Sequence, residues 1–385
     1  MTPSSSVDYL AKLVAFPTVS RDSNLDLIDF VRAEIERLGG DCRLVASEDG
    51  NKANLFATIG PQDRQGILLS GHSDVVPTEG QAWSSDPFTL RHAEGRLHAR
   101  GSADMKGFIA CCLTMLGNAR QRRLVQPLHL AVSYDEEVGC LGVRRLIDMI
   151  EGLPVQPRFC IVGEPTSLQV VTAHKGKVGM RVACRGLEAH SSIAPTTVNA
   201  VHLACDLIAR IRAIQAAIAA TGAKDCDYVV PYTTLHAGNI AGGEVINIVP
   251  NHCRFEYEIR YIPEDDPQPI VRRIEKAADE IVADARQLFD GAAIVFTPAA
   301  AYPALNTNPD SEVVSFVRAL TGGNSLGKIS FGTEGGLFQE RLGVPTVVCG
   351  PGDIAVAHKP DEYVEESQMA ACDRFLARLL DSVSI

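Results

Sequence analysis

At 385 residues the chain is too long for one ordinary hydrophobic core, and two or three domains are expected. An apolar fraction of 46% with 22% charged residues excludes a disordered chain. The net charge of -11 excludes nucleic acid or an anionic membrane as partner, since both demand a basic surface. No apolar run reaches the roughly 18 residues of a membrane span. The opening "MTPSSSVDYLAKLVAFPTVS" lacks the basic start and unbroken apolar stretch of a signal peptide. Eleven cysteines form no C-x-x-C pair, and Cys160, Cys184 and Cys205 lie in apolar runs. Buried, reduced thiols in a cytoplasmic protein fit that pattern, and the adjacent Cys111 and Cys112 read as core positions of a helix.

In chain order, "LDLIDFVRAEIERLGG" carries the 3.6-residue period of a helix that stops at a Gly pair. "NLFATIG" and "GILLSGHSDVV" follow as strands with apolar residues on both faces, which predicts a sheet covered by helices on each side. "ADMKGFIACCLTMLGNARQRR" is helical, "LHLAVSYD" a strand, "GVRRLIDMI" helical and "FCIVGEP" a strand, the alternation of an α/β layer fold. The texture changes after "TAHKGK". "VGMRVACRG" (strand), "TTVNAVHLACDLIARIRAIQAAI" (helix), "TTLHAGNIAGG" and "HCRFEYEIRY" (strands), "IVRRIEKAADEIVADARQL" (helix) and "AAIVFTP" (strand) give a self-contained βαββαβ order. That order resembles a ferredoxin-like sandwich. The α/β pattern resumes at "NTNPDSEVVSFVRAL". Residues 177–303 are therefore expected as an insertion, between catalytic-domain parts 1–176 and 304–385.

Chemistry-bearing residues gather at the ends of the apolar strands. They are His72 and Asp74 in "GHSDVVP", Asp104 in "GSADMKG", Glu136 and Glu137 in "SYDEEVGCLG", and Glu164 in "GEPTS"; His358 follows much later in "AHKPDE". Ligands of open α/β sheets collect outside the carboxyl ends of the strands, so these scattered residues are expected to converge. Imidazole and carboxylate without thiolate suit zinc, cobalt or manganese. There are more carboxylates than one tetrahedral ion needs, which fits two ions sharing a bridging carboxylate. Asp104 could instead be the N-cap of the helix that follows. His92, His98, His129, His202, His236 and His252 read as ordinary surface or core residues.

The stretches "GHSDVVP", "GRLHARGSADMKG", "YDEEVGCLG", "VGEPTS", "GLEAHSS", "NIVPN" and "AHKPDE" resemble, in order and spacing, the co-catalytic zinc amidohydrolases, a family that includes aminoacylase, carboxypeptidase G and succinyl-diaminopimelate desuccinylase. "FGTEGGLF" and the "GEPTS" form look most like its acetylornithine deacetylase branch. The resemblance covers nearly the whole chain. It implies a mixed-sheet, zinc-peptidase-like α/β catalytic domain carrying an inserted ferredoxin-like lid that also forms a homodimer.

It further implies two Zn2+ per subunit, with Co2+ or Mn2+ as substitutes. His72, Asp104 and Glu164 would hold one ion, and Asp104, Glu137 and His358 the other. Asp74 would hydrogen-bond the imidazole of His72, Glu136 would be the general base, and His190 in "GLEAHSS" would reach a partner's active site to donate to the oxyanion. Asn247 and Arg260 would bind the substrate carboxylate; Arg260 could equally be a strand-face ion pair. Gly332, Thr333 and Glu334 of "FGTEGGLF" would complete the substrate site. Glu334 is the candidate carboxylate for a terminal ammonium away from the zincs, or else a first-turn helix acid. The implied substrate is a small N-acyl amino acid, N2-acetyl-L-ornithine first. Desuccinylation, another N-acyl amino acid hydrolysis and a non-catalytic metal-binding relative stand as alternatives.

Overall fold

The protein is seen here as a computed structural model that describes residues 4–385; the first three residues of the segment read for a signal peptide lie outside the described residues. The chain divides into two compact units. The first runs through Ala173 and resumes over Leu305–Lys328 and Thr333–Ile385; the second comprises His174–Ala304 and Ile329–Gly332.

The first unit opens with α1 (Ser6–Val14), whose N-cap Ser5 and Asp8 form a reciprocal capping box. There follow α2 (Leu25–Arg37), β1 (Asp41–Ala46), β2 (Ala53–Ile59), β3 (Ile67–His72), β4 (Arg91–Ala93), β5 (Arg96–His98), α3 (Gly107–Ala119), β6 (Leu128–Ser133), α4 (Val143–Glu151), β7 (Phe159–Pro165) and β8 (Val170–His174). The second unit holds β9 (Gly176–Arg185), α5 (Ala200–Thr221), β10 (Thr234–Gly242), β11 (His252–Tyr261), α6 (Gln268–Ala285) and β12 (Ala293–Tyr302). The chain then completes the first unit's fold with β13 (Leu305–Asn306), α7 (Glu312–Thr321), β14 (Leu326–Ile329), α8 (Gly335–Leu342), β15 (Thr346–Gly350), β16 (Tyr363–Glu365) and α9 (Glu366–Ser382).

The main sheet has the order β1-β2-β6-β3-β7-β15-β8-β13, with β14 paired to β8. Its centre, β6-β3-β7-β15, is parallel, while β2 and β8 flank that centre antiparallel, so the sheet is mixed. β2, β3, β6 and β7 are buried along their whole length, as strands covered on both faces must be. Leu55, Leu69, Leu130 and Ile161 share one core with Leu10 of α1, Val31 of α2, Phe108 of α3, Val317 of α7 and Phe375 of α9. On the opposite face Asn54 of β2 donates to the carbonyl of Gly142 at 2.8 Å, tying the sheet to the start of α4. The parallel centre brings the carboxyl ends of β3, β6 and β7 to one edge, where the candidate site lies.

In the second unit the order β10-β11-β9-β12 is antiparallel throughout, the ferredoxin-like arrangement of a βαββαβ chain. Val182, Cys184, Phe255 and Ile259 pack beneath the apolar stripe Leu203, Leu207, Ile211 and Ile218 of α5. Alternate residues Arg181, Ala183, Arg254 and Glu256 are exposed, so helices cover only one face.

Three expectations are corrected here. β3 stops at His72 rather than running to Val76, because the amide of Ser73 turns to the carbonyl of Ser133 and Val75 pairs instead with Val19. The helix expected from Ala103 begins at Gly107; Asp104 and Met105 lie outside helical geometry in an irregular turn, so Asp104 is not its N-cap. Cys205 is exposed, since its position on α5 falls off the Leu203–Leu207 stripe. All eleven cysteines are unpaired, and Cys111 and Cys112 are buried in α3.

Candidate metal centre

The three consecutive acids after β6 point three ways. Asp135 takes a left-handed backbone, φ 56°, and its carboxylate receives Lys52 Nζ at 2.6 Å. Glu136 and Glu137 turn inward, where the turn is closed by the amides of Gly139 and Cys140 bonding to the carbonyl of Glu136, both at 2.8 Å. Cys140 Sγ also donates to Glu136 Oε1 at 3.3 Å.

His72 ends β3. The parallel register pairs Ser70 with Val162, so two residues further on His72 stands beside Glu164 of β7, with Nε2 at 3.8 Å from its Oε1. His72 Nε2 lies 3.0 Å from Asp104 Oδ1, and His358 Nε2 lies 3.2 Å from Asp104 Oδ2 and 3.0 Å from Glu137 Oε2. One carboxylate thus stands between two imidazoles, each facing it through Nε2. His72, Glu136 and Glu164 offer donor atoms all within 4.8 Å of one another, and so do His72, Asp104 and Glu137. All five expected metal ligands and Glu136 therefore meet in one place.

Charge in this cluster is unbalanced. Burial lifts Glu136 to about 8, with Glu137 and Glu334 pushing it further against the pull of His72. Burial lifts Glu137 to about 7, reinforced by Asp104, and lifts Glu164 well above the carboxylate range. Burial disfavours the His72 cation, but the hydrogen bond to Asp104 and the field of Glu164 outweigh it and raise the imidazole well above its ordinary value. Hydrogen bonds to Asp104 and Glu137 raise His358 to about 10. Burial also opposes the charge on Asp104, but the hydrogen bonds from both imidazoles draw its pKa down. Divalent cations between the Nε2 atoms and carboxylates would offset the repulsion among these buried acids and favour their charged forms. The donor set fits two such ions.

Several expected residues stand elsewhere than anticipated. Asp104 does not follow a strand of the main sheet; it is held by Glu362, whose Oε1 accepts the amides of Ala103 and Asp104 at 3.0 and 3.1 Å. The Asp74 carboxylate does not hydrogen-bond His72. The imidazole Nδ1 meets the backbone carbonyl of Asp74 at 2.9 Å, and the carboxylate is 3.7 Å away. Its oxygens are taken by the amides of Glu136 at 3.0 Å and Glu137 at 3.2 Å and by Ser20 Oγ at 2.7 Å. Glu334 is not remote from the centre. It is 1% exposed at the start of α8, receives the hydroxyls of Ser70 and Ser133, and feels the field of His72, while burial raises it to about 7. Thr333 is buried, its hydroxyl accepting the amide of Gly335 at 3.0 Å.

In the second unit, His190 is exposed and its Nδ1 accepts the Ser192 amide at 3.1 Å, which leaves the neutral ring's proton on Nε2. The exposed Asn247 sits beside it, its carbonyl accepting the Ser191 amide. Arg260 Nε pairs with Glu258 at 3.0 Å, and Arg260 also donates to the Tyr302 hydroxyl. Gly332 packs so near the Tyr302 ring that a Cβ would overlap it.

Sequence reading missed Glu362, Arg100, Gln81, Ser20, Ser70, Ser133 and Cys140. Arg100 and Glu362 each lie four residues from an expected ligand, inside "ARGSADMKG" and "AHKPDE", and that was the available signal.

A carboxylate and imidazole cluster at the carboxyl ends of an open α/β sheet defines a metal-dependent hydrolase. The chain belongs to the peptidase family M20/M25/M40, whose model matches residues 68–382. It is 37% identical over 376 residues to an acetylornithine deacetylase of Myxococcus xanthus, covering 96% of this chain and 95% of that protein. An acetylornithine deacetylase of Shigella sonnei is 32% identical over 366 residues, covering 93% and 92%. In fold it resembles an M20 family metallo-carboxypeptidase from Sulfolobus solfataricus, with a TM-score of 0.79 at 18% identity over 98% of each chain. No helix among the described residues is long and apolar enough to cross a membrane.

Proposed function

We propose that this protein hydrolyses N2-acetyl-L-ornithine to L-ornithine and acetate, using two zinc ions held by His72, Asp104 and Glu164 and by Asp104, Glu137 and His358. The observation that carries the substrate is the 37% identity, over nearly the full length of both chains, to a relative named for that reaction. The converging donor cluster supports the metal chemistry. Bound zinc would lower the pKa of water and polarise the amide carbonyl.

The remaining work falls to side chains. Glu136, ionised beside the bound cations, takes the proton of the attacking water and passes it to the leaving amine. Cys140 Sγ–H holds one of its oxygens in place. His190 donates Nε2–H to the developing oxyanion from the partner subunit of a homodimer, in which the second unit serves as lid and interface. Asn247 and the guanidinium of Arg260 receive the substrate carboxylate, Arg260 trading its Glu258 partner for it. Eleven unpaired thiols suit a reducing cytoplasm.

The experiment is acetate release from acetylornithine by protein reloaded with zinc after chelation, run beside succinyl-diaminopimelate. Zinc-dependent release from acetylornithine in preference supports the reading. Preference for the succinyl substrate overturns the substrate, and no hydrolysis of either overturns the activity.

A further inference from the structure

The two imidazoles of the centre are held very differently. His72 is buried on β3, and its Nδ1 is fixed by a backbone carbonyl 2.9 Å away. His358 lies on a connection outside the regular elements, has a left-handed backbone with φ 61°, and leaves its side chain 50% exposed. Its Nε2 meets Asp104 and Glu137 directly, and a neighbouring network holds the backbone that carries it. Gln81 Nε2 donates to the carbonyl of His358 at 3.0 Å, and Arg100 Nη1 donates to the carbonyl of Lys359 at 3.3 Å. Arg100 and Gln81 are themselves joined, guanidinium to amide oxygen, and Trp83 Nε1 donates to the same oxygen at 3.1 Å. The guanidinium is anchored by Glu362 Oε2 at 2.6 Å, an ion pair with both side chains at most 1% exposed.

Glu362 closes the circuit, because its other oxygen accepts the amide of Asp104 at 3.1 Å. The carboxylate between the two imidazoles and the loop bearing the looser imidazole are thus fastened to one buried ion pair.

We propose that Gln81 and Arg100, anchored on Glu362, are positioning residues for His358, fixing the outer imidazole against Asp104 so that the second metal can bind. The inference rests on the two-metal reading above. Each part has a distinct task. Glu362 places Asp104, Arg100 transmits that placement to residue 359, and Gln81 carries it to the carbonyl of the ligand itself. Loss of Gln81 therefore acts on the Asp104, Glu137 and His358 set and leaves the His72 and Glu164 side untouched.

Gln81→Ala and Gln81→Glu test this, being only partly buried changes that leave the ion pair intact. The glutamate still accepts from Arg100 and Trp83 but has no hydrogen to give the His358 carbonyl. Metal-free protein is titrated with Zn2+ against a competing chelator and with Co2+ by visible absorption, and the melting of the metal-free form is recorded. Wild type should show two binding events. In both variants the weaker event should lose about 10- to 100-fold in affinity, the usual effect of removing a ligand's supporting hydrogen bond. The tighter event, its Co2+ band and the metal-free melting temperature should not move.

Superimposable isotherms for variants and wild type overturn the inference alone. Equal weakening of both events with lower metal-free melting overturns it too, since Gln81 would then only hold the fold together. Retained second-site affinity in Gln81→Glu refutes the carbonyl contact as the cause. A wild type without two zinc events sinks the two-metal reading and this inference together.

Discussion

Replacing Asp74 with Asn separates two ways in which that residue can serve the centre. Its carboxylate is 2% exposed and accepts three hydrogen bonds, from the amides of Glu136 and Glu137 and from Ser20 Oγ. Oδ2 receives two of them and Oδ1 one, so the asparagine would keep its oxygen at the Ser20 and Glu137 side. Its NH2 would then face the amide of Glu136, donor against donor. One hydrogen bond to a buried charge is lost, worth about 1.5–3 kcal/mol. The loosened amide belongs to the proposed base, so that free energy should appear in kcat, as roughly a 10- to 150-fold loss at ~1.36 kcal/mol per decade. The contact that orients His72 comes from the backbone carbonyl of Asp74 and survives the substitution. Zinc content should therefore match wild type and KM should change little. Steady-state kinetics with acetylornithine, alongside metal analysis of the same preparation, decide the matter. Loss of zinc with kcat recovered on adding excess metal would show that Asp74 acts on His72, and the hydrogen-bond reasoning would fall.

Glu136→Ala should retain both zincs while losing at least ~10²–10⁴-fold in kcat; disappearance of zinc with the activity would make Glu136 a ligand. Glu334→Gln should lower kcat/KM for acetylornithine and acetylmethionine by the same factor, because both Glu334 oxygens are occupied by serine hydroxyls; a loss confined to acetylornithine would restore the ammonium-binding role. Metal-free protein should lose stability as pH rises from about 5 to about 8. Glu136, Glu137 and Glu334 bind protons more tightly folded, at about 8, 7 and 7, than at the ordinary 4.5, so the folded state holds the extra protons across that window. His72 and His358, also raised, act in the same direction toward higher pH. Thermal melting with and without zinc checks this, and a metal-free stability that climbs with pH would refute the burial argument. Mixed dimers of inactive His190→Ala and inactive Glu136→Ala chains should regain activity, since one site then holds an intact base and an intact donor; mixed dimers that form and stay inactive would place His190 within its own chain or outside the reaction.

Local pattern by itself determined much of this protein. The apolar run "FCIVGEP" is β7 and "HCRFEYEIRY" is β11, residue for residue, and "LDLIDFVRAEIERLGG" contains α2. Period and punctuation act within a few residues, and backbone hydrogen bonding answers to them directly. Imidazoles and carboxylates at strand ends pointed to a shared centre, because parallel strands bring their carboxyl ends to one edge. Tertiary structure decided the rest. β15 is inserted between β7 and β8, pairing Val347 with Ile161 across the whole second unit of sequence, a choice no local window contains. Asp104 owes its place to Glu362, which lies 258 residues away. Asp74 was free, on sequence, to bond its neighbour His72; in the fold the amides of Glu136 and Glu137 arrive first and take its oxygens. Glu334 reads from sequence as an ammonium-binding or first-turn helix acid; in the fold Ser70 and Ser133, from two different strands, donate to it. In each case the partner of a buried charge was settled by which distant group reached it. A carboxylate without water must find its donors wherever the packing supplies them.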